Sequence, residues 1–376
     1  MGLAPRGVLV LTLNSSLGGT EKSLVSLYSR LDKHLFSPCI VTLIGDGSLV
    51  RLAHARGLEA FHLGMRGPLD IRVLFRLAEI FRRREVSILH TYLYHTAILG
   101  RLLGWAKMVP EVVCSQRSTD DWRTGAHVLL DRFTQRLVHC YVANCQAVAD
   151  RLKKVERIAP DKIRVIPTGI EPLRLVDPAF CMTLRKNLFL ADDATVIGTV
   201  GNLRPAKGHA ILVEAAKKIV AEFPKAVFVW VGEGPLREEL QKSIREAGLE
   251  GHFRLAGFQE NTAGYYEIFD LFVLPSLWEG RPLALLEAMS KGLPIVSTRV
   301  GGVAEMLSDG VHARLVASHD SRALRDAVLS LLRAPEMAAR MGKKAQERFD
   351  QEKSLEAYVS QTQNLYGILM EEKSRR

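Results

Sequence analysis

Along the chain, short apolar runs of three to seven residues alternate with longer stretches in which apolar positions recur every three or four residues. Runs of the first kind are Gly7–Leu13, Cys39–Leu43, Ile88–His90, Val112–Ser115, Tyr141–Asn144 and Arg164–Ile166, then Val196–Gly201, Val227–Val231, Phe253–Ala256, Leu271–Leu274, Ile295–Ser297 and Ala313–Val316. Runs this short and this uniformly apolar predict strands buried on both faces, and the helical stretches between them predict crossovers. The pattern therefore predicts two parallel sheets, each covered by helices, that repeat one plan. Between the two sets lies Pro167–Pro178, rich in Pro and Gly, which reads as a linker. The expected domains are residues 1–173 and 174–340, with 341–376 forming a helical tail that packs back on the first domain.

Length and composition agree with two cores, since 376 residues and 47% hydrophobic content are ample for both. The five cysteines show no C-x-x-C pair and no histidine spacing typical of zinc, so neither a disulfide framework nor a metal site is expected. The apolar amino-terminal run is too short to span a bilayer and lacks a cleavage pattern, which predicts a cytoplasmic chain. Charge is uneven: residues 1–173 carry 24 Lys and Arg against 15 Asp and Glu, whereas the remainder carries 27 against 26. Part of the excess lies on Leu69–Arg84, where Val73, Leu74, Leu77, Ile80 and Phe81 recur at helical spacing beside Arg72, Arg76 and Arg83. Two readings stand here: an ordinary amphipathic helix on a sheet, or one that also docks on anionic lipid at the inner membrane face. Nucleic acid is not expected, because no stacking aromatics interleave with the basic residues.

Three turns offer chemistry. Gly198–Gly208 is a strand followed by a loop with Arg204 and Lys207 ahead of a helix, a position suited to a diphosphate. Gly232-Glu233-Gly234 is a tight strand-to-helix turn, and Gly257-Phe258 ends the next strand. Neither completes a G-x-G-x-x-G fingerprint with its acidic partner, so hydride chemistry is not supported. Near the start, Gly18 and Gly19 form a turn before a helix expected from Lys22, with spacing unlike that of a P-loop.

The richest segment is Phe272 to Met289, with Glu279 and Glu287 eight residues apart. Pro282 suits a first helical turn, which places Glu279 in the loop and Glu287 inside the helix, roughly 7–8 Å along its axis from Pro282. Alone, two such acids are solvated helix-end charges. Together with a helix N-terminus able to take an anion, they outline a nucleotide-sugar site.

In this order of motifs the chain resembles the retaining glycosyltransferases of family 4, with their E-x7-E signature and the GT-B architecture of two Rossmann-like parallel-sheet α/β domains facing an interdomain cleft. The resemblance implies transfer of a sugar from a nucleotide diphosphate donor without a metal or other cofactor, a UDP-sugar being preferred. It implies that Arg204 and Lys207 neutralise the leaving diphosphate, Glu279 meets the donor sugar and Glu287 holds the ribose. Gly18, Gly19, Gly232, Gly257, Phe258, Gly280 and Leu283 complete the expected donor contacts. The acceptor, a lipid-linked or polysaccharide chain, is expected on the first domain, where His90, His95 and Arg117 are the candidates. Arg117 stands where many relatives carry a histidine, and Thr168-Gly169-Ile170-Glu171 replaces a common Asn-Gly-Ile-Asp. A sugar-nucleotide epimerase, a phosphorylase and a silent sugar-nucleotide binder remain the alternatives.

Overall fold

The computed structural model describes residues 4–67, 70–106, 111–119, 123–352 and 354–374. Its contacts divide the chain into two compact units, residues 1–169 with 354–376, and residues 170–353.

Unit 1 runs β1 (Arg6–Asn14), α1 (Gly19–Tyr28), β2 (Phe36–Ile44), α2 (Ser48–Ala55), β3 (Glu59–His62), α3 (Arg72–Arg84), β4 (Val86–Tyr92), α4 (Tyr94–Trp105), β5 (Glu111–Gln116), α5 (Gly125–Thr134), β6 (Cys140–Ala143), α6 (Gln146–Lys154) and β7 (Ile163–Val165). The strands form one parallel sheet in the order β3-β2-β1-β4-β5-β6-β7. Alternate residues of each strand feed opposite faces, as the strand period requires. Val8, Val10, Ile40 and Ile88 pack with α1 and α2, whereas Leu9, Leu11, Val41 and Leu89 pack with α3 and α4. Strand β3 was not among the expected strands. Of its Glu-Ala-Phe-His only Ala60 is buried, because an edge strand needs one apolar side and shows no apolar run.

Unit 2 runs α7 (Pro178–Asn187), β8 (Thr195–Val200), α8 (His209–Glu222), β9 (Ala226–Val231), α9 (Arg237–Glu246), β10 (Phe253–Gly257), α10 (Ala263–Ile268), β11 (Leu271–Leu274), α11 (Leu283–Ser290), β12 (Ile295–Thr298), α12 (Val303–Met306), β13 (Arg314–Val316), α13 (Ser321–Leu332) and α14 (Pro335–Glu352). Its parallel sheet has the order β10-β9-β8-β11-β12-β13. The tail expected as one helix after residue 340 is two: α14 stays in unit 2, and α15 (Ser354–Ser374) belongs to unit 1. There Leu355, Tyr358, Leu365, Tyr366 and Leu369 join the core under α1 and α2.

Two expected boundaries shift. Helix α1 begins at Gly19, three residues before Lys22. Pro282 is the N-cap of α11, with extended backbone at φ −70° and ψ 121°, so the helix starts at Leu283. In the segment Leu69–Arg84, Leu69 lies outside the described residues, and the apolar set splits: Val73, Leu77 and Phe81 are buried, while Leu74 faces solvent with Ile71 and Phe75. The five cysteines are free thiols.

Candidate active site

In unit 2 the strand order reverses between β8 and β11, which are neighbours in the sheet while their outgoing connections run to opposite sides. The crevice outside the carboxyl ends of such a strand pair is where open parallel sheets bind ligands. The loops Gly201–Gly208 and Pro275–Pro282 leave those two ends and meet directly, Leu277 N–H donating to the Ala206 carbonyl at 2.8 Å. Their approach depends on Gly208. At φ +61° it sits in the left-handed region, and a Cβ there would come within 2.1 Å of the Pro275 carbonyl oxygen.

This junction brings two expected site residues together. Lys207 Nζ donates to Glu279 Oε1 at 2.5 Å, and the buried Ser276 Oγ donates to the same oxygen at 2.7 Å. Glu279 is 8% exposed, and Thr298 Oγ1 holds Ser276 in turn through its carbonyl oxygen at 2.5 Å. From the β12 side, Gly302 N–H donates to the Gly280 carbonyl at 2.8 Å. Gly301, at φ +49°, comes so close that a Cβ would lie 1.9 Å from the Glu279 carbonyl oxygen. The sequence motif marked Lys207 and Glu279; Ser276 and Thr298, which orient Glu279, carry no motif signal.

Glu287 lies on the second turn of α11, beyond Leu283 at its start. The buried Tyr266 hydroxyl donates to the Ala284 carbonyl at 3.0 Å, and it stands beside the Glu287 carboxylate. Burial, then the neighbouring Glu287 charge, pushes the Tyr266 phenol well above its usual range. Tyr266 was also invisible in the sequence. Between Gly280 and Pro282, the buried Arg281 pairs with Glu352 at 2.5 Å, and Arg348 Nε also donates to Glu352 at 3.0 Å, so this loop is tied to the end of α14.

The other strand ends are fastened along the same edge. Gly232 N–H donates to the Gly257 carbonyl at 2.8 Å, and Leu203 N–H to the Glu233 carbonyl at 3.0 Å. Gly232 and Gly257 both have positive φ, +146° and +72°, and Phe258 projects exposed beyond them. Arg204 is also exposed, and its guanidinium has no side-chain partner among the described residues. His209, at the first position of α8, is buried against Trp230, and neither ring nitrogen has a hydrogen-bond partner. Burial, then Lys207, holds it neutral, with its pKa lowered to about 3. A cleft lined by Thr195, Asp270, Lys291 and Lys343 lies at the opposite edge of the sheet and includes none of these residues.

In unit 1 the expected residues separate. Gly18 is the N-cap of α1 and Gly19 its first residue, but the Glu21 carboxylate folds back over this helix end, 2.7 Å from where a Gly18 Cβ would stand. Burial raises the Glu21 pKa, while backbone N–H groups of Glu21 and Gly18 and the Arg117 charge oppose it. Arg117 reaches Tyr358 Oη and Ser23 Oγ, each at 3.4 Å. His95 is exposed near the start of α4. His90 is corrected: at 2% exposure it is a core residue and offers no surface to an acceptor. Its Nδ1 lies 2.6 Å from Tyr366 Oη and 3.0 Å from Tyr28 Oη, and its Nε2 lies 2.7 Å from Ser115 Oγ. Among the described residues no three His, Cys, Asp or Glu side chains gather as a metal site.

Comparison with known proteins gives the same partition. Residues 17–174 match the family described as Glycosyltransferase Family 4, and residues 182–348 match Glycosyl transferases group 1. The chain is 31% identical over 248 residues to an Escherichia coli UDP-Gal:alpha-D-GlcNAc-diphosphoundecaprenol alpha-1,3-galactosyltransferase, covering 62% of this chain and 63% of that protein. It is 29% identical to the lipopolysaccharide core biosynthesis glycosyltransferase LpsE of Rhizobium meliloti, covering 91% of this chain and 95% of the relative. Among solved structures, Anabaena Alr3699/HepE in complex with UDP superposes with a TM-score of 0.81 at 19% identity, over 96% of this chain and 99% of that one, which establishes the GT-B fold. The motifs, the paired Rossmann-like sheets and both family matches place this chain among the family 4 glycosyltransferases.

Proposed function

We propose that the protein is a retaining, metal-independent glycosyltransferase that moves a sugar from a nucleotide diphosphate donor, a UDP-sugar being preferred, to a lipid-linked or polysaccharide acceptor at the cytoplasmic face of a membrane. The observation that carries this reading is the meeting of Lys207 and Glu279 at the switch point of unit 2, with Glu287 on the helix that follows. The activities for which the E. coli and Rhizobium relatives are named support the acceptor class. UDP bound to the Anabaena protein supports the donor base.

In this account the diphosphate lies against Lys207 and Arg204, whose charges take up the negative charge that grows as the sugar leaves. Glu287 accepts hydrogen bonds from the ribose hydroxyls, and Glu279, released from part of its contact with Lys207, accepts from the donor sugar. Gly280, Leu283, Gly232, Gly257 and Phe258 line the donor, and Gly18 and Gly19 are further proposed donor contacts. His95 and Arg117 serve the acceptor. As the bond from the anomeric carbon to the diphosphate oxygen breaks, the acceptor oxygen forms its bond on the same face and its proton passes to the departing phosphate. Fixed cations suit this route, since charge neutralisation and orientation supply the catalysis.

Incubation with UDP-sugars, lipid-linked acceptor and chelator, followed by NMR assignment of the product anomer, tests it. Acceptor-dependent product with the donor's anomeric configuration is expected. An inverted product, or a requirement for added metal, contradicts the proposal.

A further inference from the structure

Helix α5 is turned inside out. Of its ten residues, Gly-Ala-His-Val-Leu-Leu-Asp-Arg-Phe-Thr, the one buried side chain is Asp131, while Leu129, Leu130 and Phe133 face solvent, Phe133 at 69% exposure. An amphipathic helix on a soluble domain does the reverse. The orientation is imposed from beneath. Asp131 accepts from Arg101 of α4 at 2.5 Å and from Arg123 at 2.7 Å, and Arg123 also donates to Glu156 at 3.0 Å. All four side chains are at most 3% exposed. Such a network contributes little net stability once desolvation is counted, but it fixes which side of a helix points inward. Beside α5, helix α4 adds Leu102 and Trp105 to the outer surface, Trp105 at 71% exposure.

The groups around this apolar strip are cationic. Arg136 follows α5, and Arg132 is held against the end of α6 by the Val155 carbonyl at 2.7 Å. That end of α6 exposes Lys153, Lys154 and Arg157. Of the nearby acids among the described residues, Asp131 and Glu156 are buried under arginines, and Asp150 accepts from Gln146 at 2.7 Å. Exposed Leu, Phe and Trp rimmed by Arg and Lys match the chemistry of an anionic lipid surface. Among the described residues no helix is long and apolar enough to cross a membrane.

We propose that α5, together with Leu102 and Trp105 of α4, seats the protein on an anionic bilayer. The proposal extends the lipid-linked acceptor reading, but its test uses neither donor nor acceptor, so each can fail without the other.

The test is flotation of the full chain with phosphatidylglycerol/phosphatidylcholine vesicles and with phosphatidylcholine alone, at low and high salt. The wild type is compared with Trp105→Ser/Leu129→Ser/Phe133→Ser and with Phe75→Ser on α3. Unchanged far-UV circular dichroism and melting temperature of each variant check that the fold is intact. The expected result is flotation with the anionic vesicles that falls in salt and drops about tenfold or more in the triple variant, with Phe75→Ser close to wild type. Absence of flotation by the wild type, an unaffected triple variant, or loss only with Phe75→Ser overturns it. So does a vesicle-free dimer, seen by analytical ultracentrifugation and abolished by the triple variant, without flotation.

Discussion

Lys207 and Glu279 stand 72 positions apart, on loops leaving neighbouring strands, yet their side chains meet at 2.5 Å over the point where the sheet order reverses. In the proposed mechanism Lys207 serves the diphosphate and Glu279 the donor sugar, and here the two side chains hold each other. Removing the carboxylate frees the cation. Glu279→Gln is therefore expected to bind UDP at least as tightly as wild type while losing about 100-fold in kcat/KM for transfer. Lys207→Ala should lose both. Parallel calorimetry and kinetics on the two variants check the split.

Tyr266 is expected to hold Glu287 in place. Tyr266→Phe keeps the buried ring and removes only the hydroxyl beside the carboxylate, so UDP affinity should fall by about 2- to 10-fold with little change in melting temperature. Glu287→Ala should weaken binding further. Equal affinity of Tyr266→Phe and wild type would remove Tyr266 from the site.

The contact between the two site loops predicts a steric effect. Gly208→Ala forces a Cβ to within 2.1 Å of the Pro275 carbonyl at φ +61°, and neither backbone gives way freely. A loss of about 2–4 kcal/mol of unfolding free energy is expected, together with loss of UDP binding, from denaturant titration and calorimetry.

Acid should act on both units through buried neutral histidines. His90 and His209 each have a pKa lowered to about 3, in both cases by burial and then by a nearby cation, Arg117 or Lys207. The unfolded chain takes up these protons near pH 6.5 while the folded chain does not, so stability is full above that value and falls as pH drops towards 3. Between pH 6.5 and 5 each histidine should cost roughly 1–2 kcal/mol. His209→Leu, which leaves no partner unsatisfied, should flatten the pH dependence of unit 2 melting across this window.

Much of this arrangement is legible in the sequence because parallel strands are buried on both faces and read as apolar runs; the twelve expected strands all appear, their ends within two residues of expectation except that β2 starts three residues earlier. Strand β3 escaped because an edge strand with one buried residue shows no such run. Lys207, Glu279 and Glu287 were legible as residue types in loops and a helix start. Their partners were not, since Ser276, Thr298 and Tyr266 act through tertiary contacts that leave no spacing to read. His90 misled for the same reason, its three hydroxyl partners coming from α1, β5 and α15. The inverted face of α5 could not be read either, because only the fold reveals that Asp131 points inward.

The most direct test of the donor site is a calorimetric titration with UDP, GDP and ADP in chelator, on wild type, Lys207→Ala and Glu287→Ala. Metal-free binding of UDP in preference to the others, weakened by both substitutions, is the predicted result. Failure to bind any of the three, or UDP binding indifferent to both substitutions, contradicts it.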